Sequence, residues 1–554
     1  MSVLPFTAAR RAACRALACI LGCVGISLAA AADERPNFLL ILADDMGFSD
    51  VGAFGGEIAT PHLDQLAASG LRMSNFHATP TCSPTRAELL TGVDHHLAGL
   101  ANMAELITDA QRGKPGYLGY LDEGVLTVAE RLSAAGYRTV MSGKWHLGKQ
   151  AQQDPHRRGF ESAFALLEGG HNHFGKPGMP PASLGGANYT ENGEPVGIPE
   201  QFYSSDYFTD KLLAFLDEGD GRPFFAYLPF TAPHWPLHAP AANTAKYRGR
   251  YDAGWEVLRA QRVAKQAELG LLAANAPVQS PQTLRDWDSL GPDQQREQAR
   301  KMEIYAGMVD RMDWNIGRVV DYLKQTGQFD NTVIIFLSDN GAAPDTLENM
   351  ARKVPDFPPI DPGAVKDWGG PDSLLSYGPN WAQAATAPRR LYKSVVAEGG
   401  LISPLIIHYG GWPRGGEISN TFANARDIAP TLLEMAGVQV AEASGDRLVV
   451  RGRSMLPYLA GERQRVHGAD DVFGWELFGQ RAIRKNQWKL MFVSSPNGSG
   501  EWALYNLDED PGETLDLSRR HPDVFNELLS WWEEYQRRMQ IVLEEQVVSP
   551  YTAM

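Results

Sequence analysis

The chain has 554 residues, 44% hydrophobic and 21% charged, enough to bury a large core, and its 55 glycines and 36 prolines stand at ordinary frequency. Collagen-like, low-complexity and largely disordered chains are thereby excluded. Fifty-one basic against 66 acidic residues give a formal net charge of −15, the wrong sign for sequence-independent nucleic-acid binding, so no nucleic-acid partner is expected.

Residues 1–32 read as a signal peptide: Arg10, Arg11 and Arg15 precede an apolar run from Ala16 to Leu28, and Ala29 to Ala32 offers a small-residue cleavage site. The run is short for a membrane span, so export to the periplasm or outside is expected, without stable membrane insertion. Ile20-Leu21-Gly22-Cys23 makes a poor lipoprotein box, which leaves lipid anchoring as the lesser alternative. Cleavage takes the charge to about −18 and leaves Cys82 as the one remaining cysteine of four, so no intramolecular disulfide is expected.

Asn37 to Ala43 is a continuous apolar run of the kind that forms a strand buried on both faces, and it ends in Asp44-Asp45. Amphipathic helices follow at Thr60 to Ser69, Ser83 to Leu90, Thr127 to Ala135 and Asp206 to Glu218, then a strand at Phe224 to Leu228. The charged stretch Tyr247 to Ser289 reads as an insertion. A long helix over Gln295 to Thr326 leads to a second apolar strand, Asn331 to Leu337, which ends in Ser338-Asp339-Asn340-Gly341. Asp345 to Asp372 reads as another insertion, followed by a strand at Leu405 to His408 and a helix at Ile428 to Ala436. After Gly461 the segments shorten: Asp471 to Phe478, Gln480 to Arg484, Trp488 to Phe492 and Trp502 to Leu507, then a helix from Pro522 to Glu544. The pattern predicts an α/β fold, a large sheet sandwiched by helices over residues 36–461, with a small antiparallel sheet plus helix over 462–554. Ligands in such a fold sit beyond the carboxyl ends of the strands, where both acidic motifs lie.

Cys82 stands in Thr81-Cys82-Ser83-Pro84-Thr85-Arg86, with Pro84 suited to a first helical turn and Ser83 to its cap. A thiol at a helix N-terminus is either a low-pKa nucleophile or a buried structural group. A cysteine-phosphatase loop does not fit, since it needs its Arg six residues after the Cys and Arg86 is four after. Asp44, Asp45, Asp339 and Asn340 are hard oxygen ligands, and three converging carboxylates repel unless a cation sits among them, which implies a divalent metal. Lys144 and His146 in Ser142-Gly143-Lys144-Trp145-His146-Leu147-Gly148, and His234 in Ala232-Pro233-His234-Trp235-Pro236, supply cationic and acid–base groups. His95-His96 and His171-Asn172-His173 read as structural or pocket-lining.

The Cys82-Ser83-Pro84-Thr85-Arg86 run resembles the C-x-P-x-R modification motif of type I sulfatases, and the resemblance extends over residues 35–517, most closely to bacterial arylsulfatases of the Pseudomonas type. It implies an alkaline-phosphatase-like fold and a formylglycine made from Cys82 by a formylglycine-generating maturation enzyme. The hydrated aldehyde would attack a small sulfate ester. It implies one calcium ion held by Asp44, Asp45, Asp339, Asn340 and residue 82; zinc relatives in the superfamily read D-H-G where this chain reads Asp339-Asn340-Gly341. By the same resemblance Arg86, Lys144 and Lys393 bind charge around the sulfate, Asp339 assists deprotonation of the hydrate, His234 protonates the leaving oxygen, and His146 is the base that releases sulfate. Lys393 follows Trp381-Ala382-Gln383-Ala384, where the chain departs most from the pattern. Phosphonate or phosphodiester hydrolysis with the same nucleophile, a binding protein with an unmodified Cys82, and a sulfatase for an alkyl, choline or carbohydrate sulfate are the alternatives. The oligomeric state is not legible.

Overall fold

The computed structural model describes Met1 and residues 35–176, 187–273, 275–278, 285–347, 367–439 and 450–543. The proposed signal peptide and most of the Asp345 to Asp372 insertion lie outside the described residues. The described residues from Arg35 on form one compact unit.

The large sheet is built from β1 (Asn37–Ala43), β2 (Leu71–His77), β3 (Arg138–Lys144), β4 (Ser162–Leu166), β5 (Tyr189–Glu191), β6 (Glu194–Pro195), β7 (Phe224–Pro229), β8 (Thr332–Ser338), β9 (Ile402–His408), β10 (Ile418–Ser419) and β11 (Ala423–Asn424). Its order is β10-β2-β9-β8-β1-β7-β3-β4-β5-β6, with β11 also on β2. β4, β3, β7, β1 and β8 run parallel, whereas β9 is antiparallel to both β8 and β2. The sheet is therefore mixed, and β2 runs the same way as β1.

The period-2 alternation of a strand explains why the central strands are apolar throughout. In β1, Leu39, Ile41 and Ala43 enter one core with Phe208 and Leu212 of helix Ser204–Asp217 and Met308, Met312 and Ile316 of helix Pro292–Gln325. Phe38, Leu40 and Leu42 enter a second core on the other face, with Leu89 and Leu90 of helix Cys82–Thr91, Leu132 of Val128–Ala134, and Leu432 and Leu433 of Ile428–Met435. Each of the Leu, Ile, Phe and Met side chains contributes about 1.5–3 kcal/mol of burial, so both faces are anchored and the register of the edge that bears the acidic motifs is fixed.

A separate antiparallel sheet of β12 (Val472–Leu477), β13 (Gln480–Lys485), β14 (Trp488–Phe492) and β15 (Trp502–Asn506) buries Ile483, Leu490 and Leu504 against Leu528, Trp532 and Met539 of helix Pro522–Met539. Polar contacts tie it to the large sheet: Trp475 donates its indole N–H to Ala78 O at 3.1 Å, and buried Lys489 bridges Glu398 at 2.7 Å and Glu513 at 2.8 Å. Among the described residues no helix is long and apolar enough to cross a membrane.

Seven strands of the large sheet, β2 to β6, β10 and β11, are additions to the sequence reading. The charged stretch after Tyr247 carries helix Gly254–Glu268, whose Arg262 is fully buried and pairs with Asp50 at 2.7 Å and Glu57 at 2.7 Å. It packs into the core on one face of the sheet rather than lying over the surface as an insertion.

Candidate active site

The parallel strands end on a common edge, and their next residues are the acidic motifs. Register pairs Ala43 with Ser338, so Asp44 and Asp45 emerge beside Asp339 and Asn340. Asp339 N donates to Ala43 O at 3.1 Å, and Asp45 N donates to Asp339 Oδ1 at 3.1 Å. Asp45 has φ 66°, a left-handed conformation that aspartate tolerates better than most residues. Cys82 opens helix Cys82–Thr91 shortly after β2, and Arg86 lies one turn on. The helix starts one residue before the expected Ser83: Thr81 occupies the N-cap position without a side-chain cap bond, and the Ser83 hydroxyl is buried without a partner. Lys144 is the last residue of β3, His146 follows at φ 58°, His234 follows β7, and Lys393 precedes β9, whose antiparallel course brings its amino end to the same edge.

These side chains converge. Ligand atoms of Asp44, Asp45, Cys82 and Asp339 all lie within 4.8 Å of one another. The Cys82 thiol points at Asp44 Oδ1, 3.6 Å away, and Asp45 Oδ1, 3.7 Å away. Lys144 Nζ donates to both oxygens of Asp44, at 2.9 and 2.8 Å, while Lys393 Nζ lies 2.9 Å from Asp45 Oδ2 and 3.4 Å from Cys82 Sγ. Arg86 forks onto Asp339 Oδ2 through Nε at 3.0 Å and Nη2 at 2.8 Å, and its Nη1 donates to Lys144 O at 2.9 Å. Asn340 Nδ2 donates to Asp45 Oδ1 at 2.7 Å, leaving its buried Oδ1 without a partner. His234 Nε2 is 3.4 Å from Asp45 Oδ2.

Three buried carboxylates thus face three buried cations, an arrangement that tolerates desolvation because each charge has a partner. Burial, aided by Asp339 and Asp45, still pushes Asp44 up to about 7 against Lys144 and Arg86. Burial would also raise Asp45 and Asp339, but Lys393, His234 and Lys144 together outweigh it at the first and Arg86, Lys144 and Lys393 together at the second, so both are lowered. Burial and the Asp339 carboxylate push the Cys82 thiol well above its ordinary value. The direction runs against the low-pKa thiolate reading: desolvation and the Asp339 and Asp45 carboxylates outweigh Lys144 and Lys393. Burial holds His146 down to about 4 and His234 to about 3, so both imidazoles are neutral near pH 7.

Two residues not singled out from sequence stand at the rim. Glu105 Oε1 is 3.1 Å from His146 Nε2. Asp345 is buried, has no hydrogen-bond partner at either oxygen, and is raised to about 7 by burial. Neither belongs to a periodic or motif-like run. The other histidines are braced: His171 Nε2 bonds Thr231 Oγ1 at 2.9 Å, and His173 bonds Ser204 Oγ at 2.8 Å and His234 O at 2.9 Å. His96 sits between Asp94 at 3.1 Å and Glu476 at 3.4 Å, and Arg426 donates to Asp94 at 2.9 Å. Asp94, His95 and His96 are close enough to hold a cation, but the Arg426 guanidinium already occupies that role.

The Sulfatase family matches residues 36–438, and the family described as N-sulphoglucosamine sulphohydrolase, C-terminal, matches residues 390–536. An uncharacterized sulfatase of Schizosaccharomyces pombe is 45% identical over 530 residues, 92% of this chain and 95% of its own. An arylsulfatase of Klebsiella aerogenes is 39% identical over 413 residues, 74% of this chain and 88% of its own. The crystal structure of a sulfatase from Pseudoalteromonas sp. shares the fold, with a TM-score of 0.62 at 21% identity over 91% of each chain. With a family match over most of its length and relatives at these identities, the chain belongs to the sulfatase family.

Proposed function

We propose that this sulfatase hydrolyses small sulfate monoesters, aryl sulfates foremost, to a phenol and inorganic sulfate, using a formylglycine made from Cys82 and one calcium ion. The observation that carries the reading is the convergence of Cys82 with three carboxylates and three cations at one sheet edge. Sulfatase membership implies formylglycine and a divalent metal. The residues fit both: Asp44, Asp45, Asp339 and the unpartnered Asn340 Oδ1 are oxygen donors suited to calcium, with no histidine among them to favour zinc. Calcium held there and formylglycine at residue 82 would supply, respectively, positive charge for sulfate oxygens and an oxygen nucleophile in place of an unreactive thiol.

The chain's own groups then have separable tasks. Lys144 and Lys393 neutralise non-bridging sulfate oxygens, and Arg86 fixes Asp339 beside residue 82. The three cations balance the three carboxylates, so a bound dication leaves the pocket positive toward an anionic ester although the mature chain carries about −18. His234 Nε2 hands a proton to the leaving oxygen; it is neutral alone, and the negative charge of a bound sulfate raises its basicity. His146 takes the proton released when sulfate departs. Trp235, stacked on His234 with centroids 5.3 Å apart, gives an aryl leaving group an aromatic neighbour. The similarity to the Klebsiella arylsulfatase supports the same substrate class.

Export as a periplasmic or secreted enzyme, a formylglycine-generating partner, the catalytic span 36–461 and the subdomain 462–554 belong to the same proposal. A sugar sulfate is the second substrate reading, favoured by the match of residues 390–536 to the N-sulphoglucosamine sulphohydrolase family. Turnover measured side by side on matched aryl sulfate, sugar sulfate, phosphodiester and phosphonate tests the proposal. Fastest turnover of the aryl sulfate is expected, and faster cleavage of a phosphorus ester would overturn it.

A further inference from the structure

Among the groups bordering the site, the Glu105–His146 pair carries a role that neither motif nor homology assigns. Glu105 lies in the 3-10 turn Ala104–Leu106, and its carboxylate reaches His146 Nε2 at 3.1 Å. A carboxylate can only accept, so the imidazole proton resides on Nε2 and Nδ1 carries the lone pair. Nδ1 is buried without a partner, which leaves its lone pair open to a reacting group.

The ring is held on two further sides. His146 adopts φ 58°, and Gly169 lies flat against the imidazole: a Cβ there would stand 2.5 Å from Cε1 and 2.7 Å from Nε2. Only glycine allows the ring this seat. Burial holds the imidazole neutral, down to about 4, and against the partial desolvation of its carboxylate Glu105 is held down to about 2 by His146, its side chain remaining partly open to solvent. A neutral base beside a permanent anion is thus already assembled.

We propose that Glu105 is a positioning residue that fixes the tautomer and orientation of His146 so that Nδ1 serves as the base of the sulfate-release step. The inference rests on the sulfatase reading above. In that step the proton on the remaining hydroxyl of residue 82 passes to Nδ1, its C–O bond to the departing sulfate oxygen breaks, and a C=O bond forms. The proton then leaves Nδ1 for solvent, with no change in oxidation state. The Glu105 carboxylate stabilises the imidazolium present in between.

Pre-steady-state kinetics on a nitrophenyl sulfate with the metal-loaded, modified enzyme separates the steps. Glu105→Gln keeps the shape and removes the charge; Glu105→Ala removes both. Each variant is expected to release about one phenol per site at the wild-type rate and then turn over on the order of 10-fold or more slowly, within the 10²–10⁴-fold that a general base supplies. KM should not rise and the melting temperature of Glu105→Gln should be unchanged. Wild-type steady-state turnover in Glu105→Gln, with a burst in His146→Ala, would overturn the positioning role alone. Loss of burst and steady state by the same factor in every variant would overturn both the step assigned to His146 and the role of Glu105. If the unmutated, modified enzyme releases no phenol, the aryl sulfate reading itself falls.

Discussion

Lys393 Nζ lies 2.8 Å from Asp45 Oδ1 and 2.9 Å from Oδ2, joining positions 348 residues apart in the chain. The same ammonium is 3.4 Å from Cys82 Sγ, so one cation links a metal-facing carboxylate to the nucleophile position. Removing it leaves three carboxylates with two cations. Lys393→Ala should therefore bind calcium more tightly than the wild type while sulfate turnover falls by roughly 10²-fold, the scale seen when one charge-stabilising donor is lost. Calorimetric titration and kinetics on one preparation check both signs, and weaker binding would refute the electrostatic balance.

Asp45→Ala and Asn340→Ala remove an oxygen donor and also unbalance Lys393 or the amide that braces Asp45. Both variants should lose bound calcium and activity together. Metal analysis of active wild-type protein should find one calcium per chain, and two zinc ions would contradict the ligand assignment.

His234 should matter in proportion to how poor the leaving group is. A nitrophenol departs readily as an anion, whereas an alcohol of high pKa needs a proton. His234→Ala should lose little rate on a nitrophenyl sulfate and on the order of 10²-fold or more on an unactivated ester. A plot of log rate against leaving-group pKa reads this as a steeper slope, and equal losses across the series would remove the acid role.

Stability should fall with rising pH through the Asp94–His96–Glu476 chain. Burial alone would lower His96, but hydrogen bonds to Asp94 and Glu476 hold it up to about 9. A folded pKa above the unfolded value gives stability fully present below about 6.5 and lost as pH climbs to about 9. Glu88, raised to about 8 by burial and Asp94, acts with the same sign between about 4.5 and 8. Melting temperature should decline from pH 6.5 to 9.5, and His96→Gln should flatten the decline; a flat wild-type profile would contradict it.

What could be read from sequence followed the physics of each segment. β1 appears at its expected bounds, and β8 is shifted by one residue, because a strand buried on both faces is apolar throughout and its acidic end stands out. β3, Arg-Thr-Val-Met-Ser-Gly-Lys, shows no such run. All seven are nevertheless buried, with Thr139 donating to Gly159 O at 2.6 Å and Lys144 paired with Asp44. Polar residues satisfied by distant partners leave no local periodicity. The same holds for Glu105, whose partner His146 lies 41 residues on. The helix start was misplaced because Ser83 has the residue type of a cap but lies inside the first turn.

On the proposed reading residue 82 works as an oxygen nucleophile at the edge where Asp44, Asp45 and Asp339 converge on it. Peptide mass mapping of residue 82 across preparations of graded specific activity tests it most directly. Activity should rise in proportion to the fraction carrying the aldehyde and vanish in folded Cys82→Ala. Full activity in a preparation whose Cys82 is entirely free thiol would contradict the account.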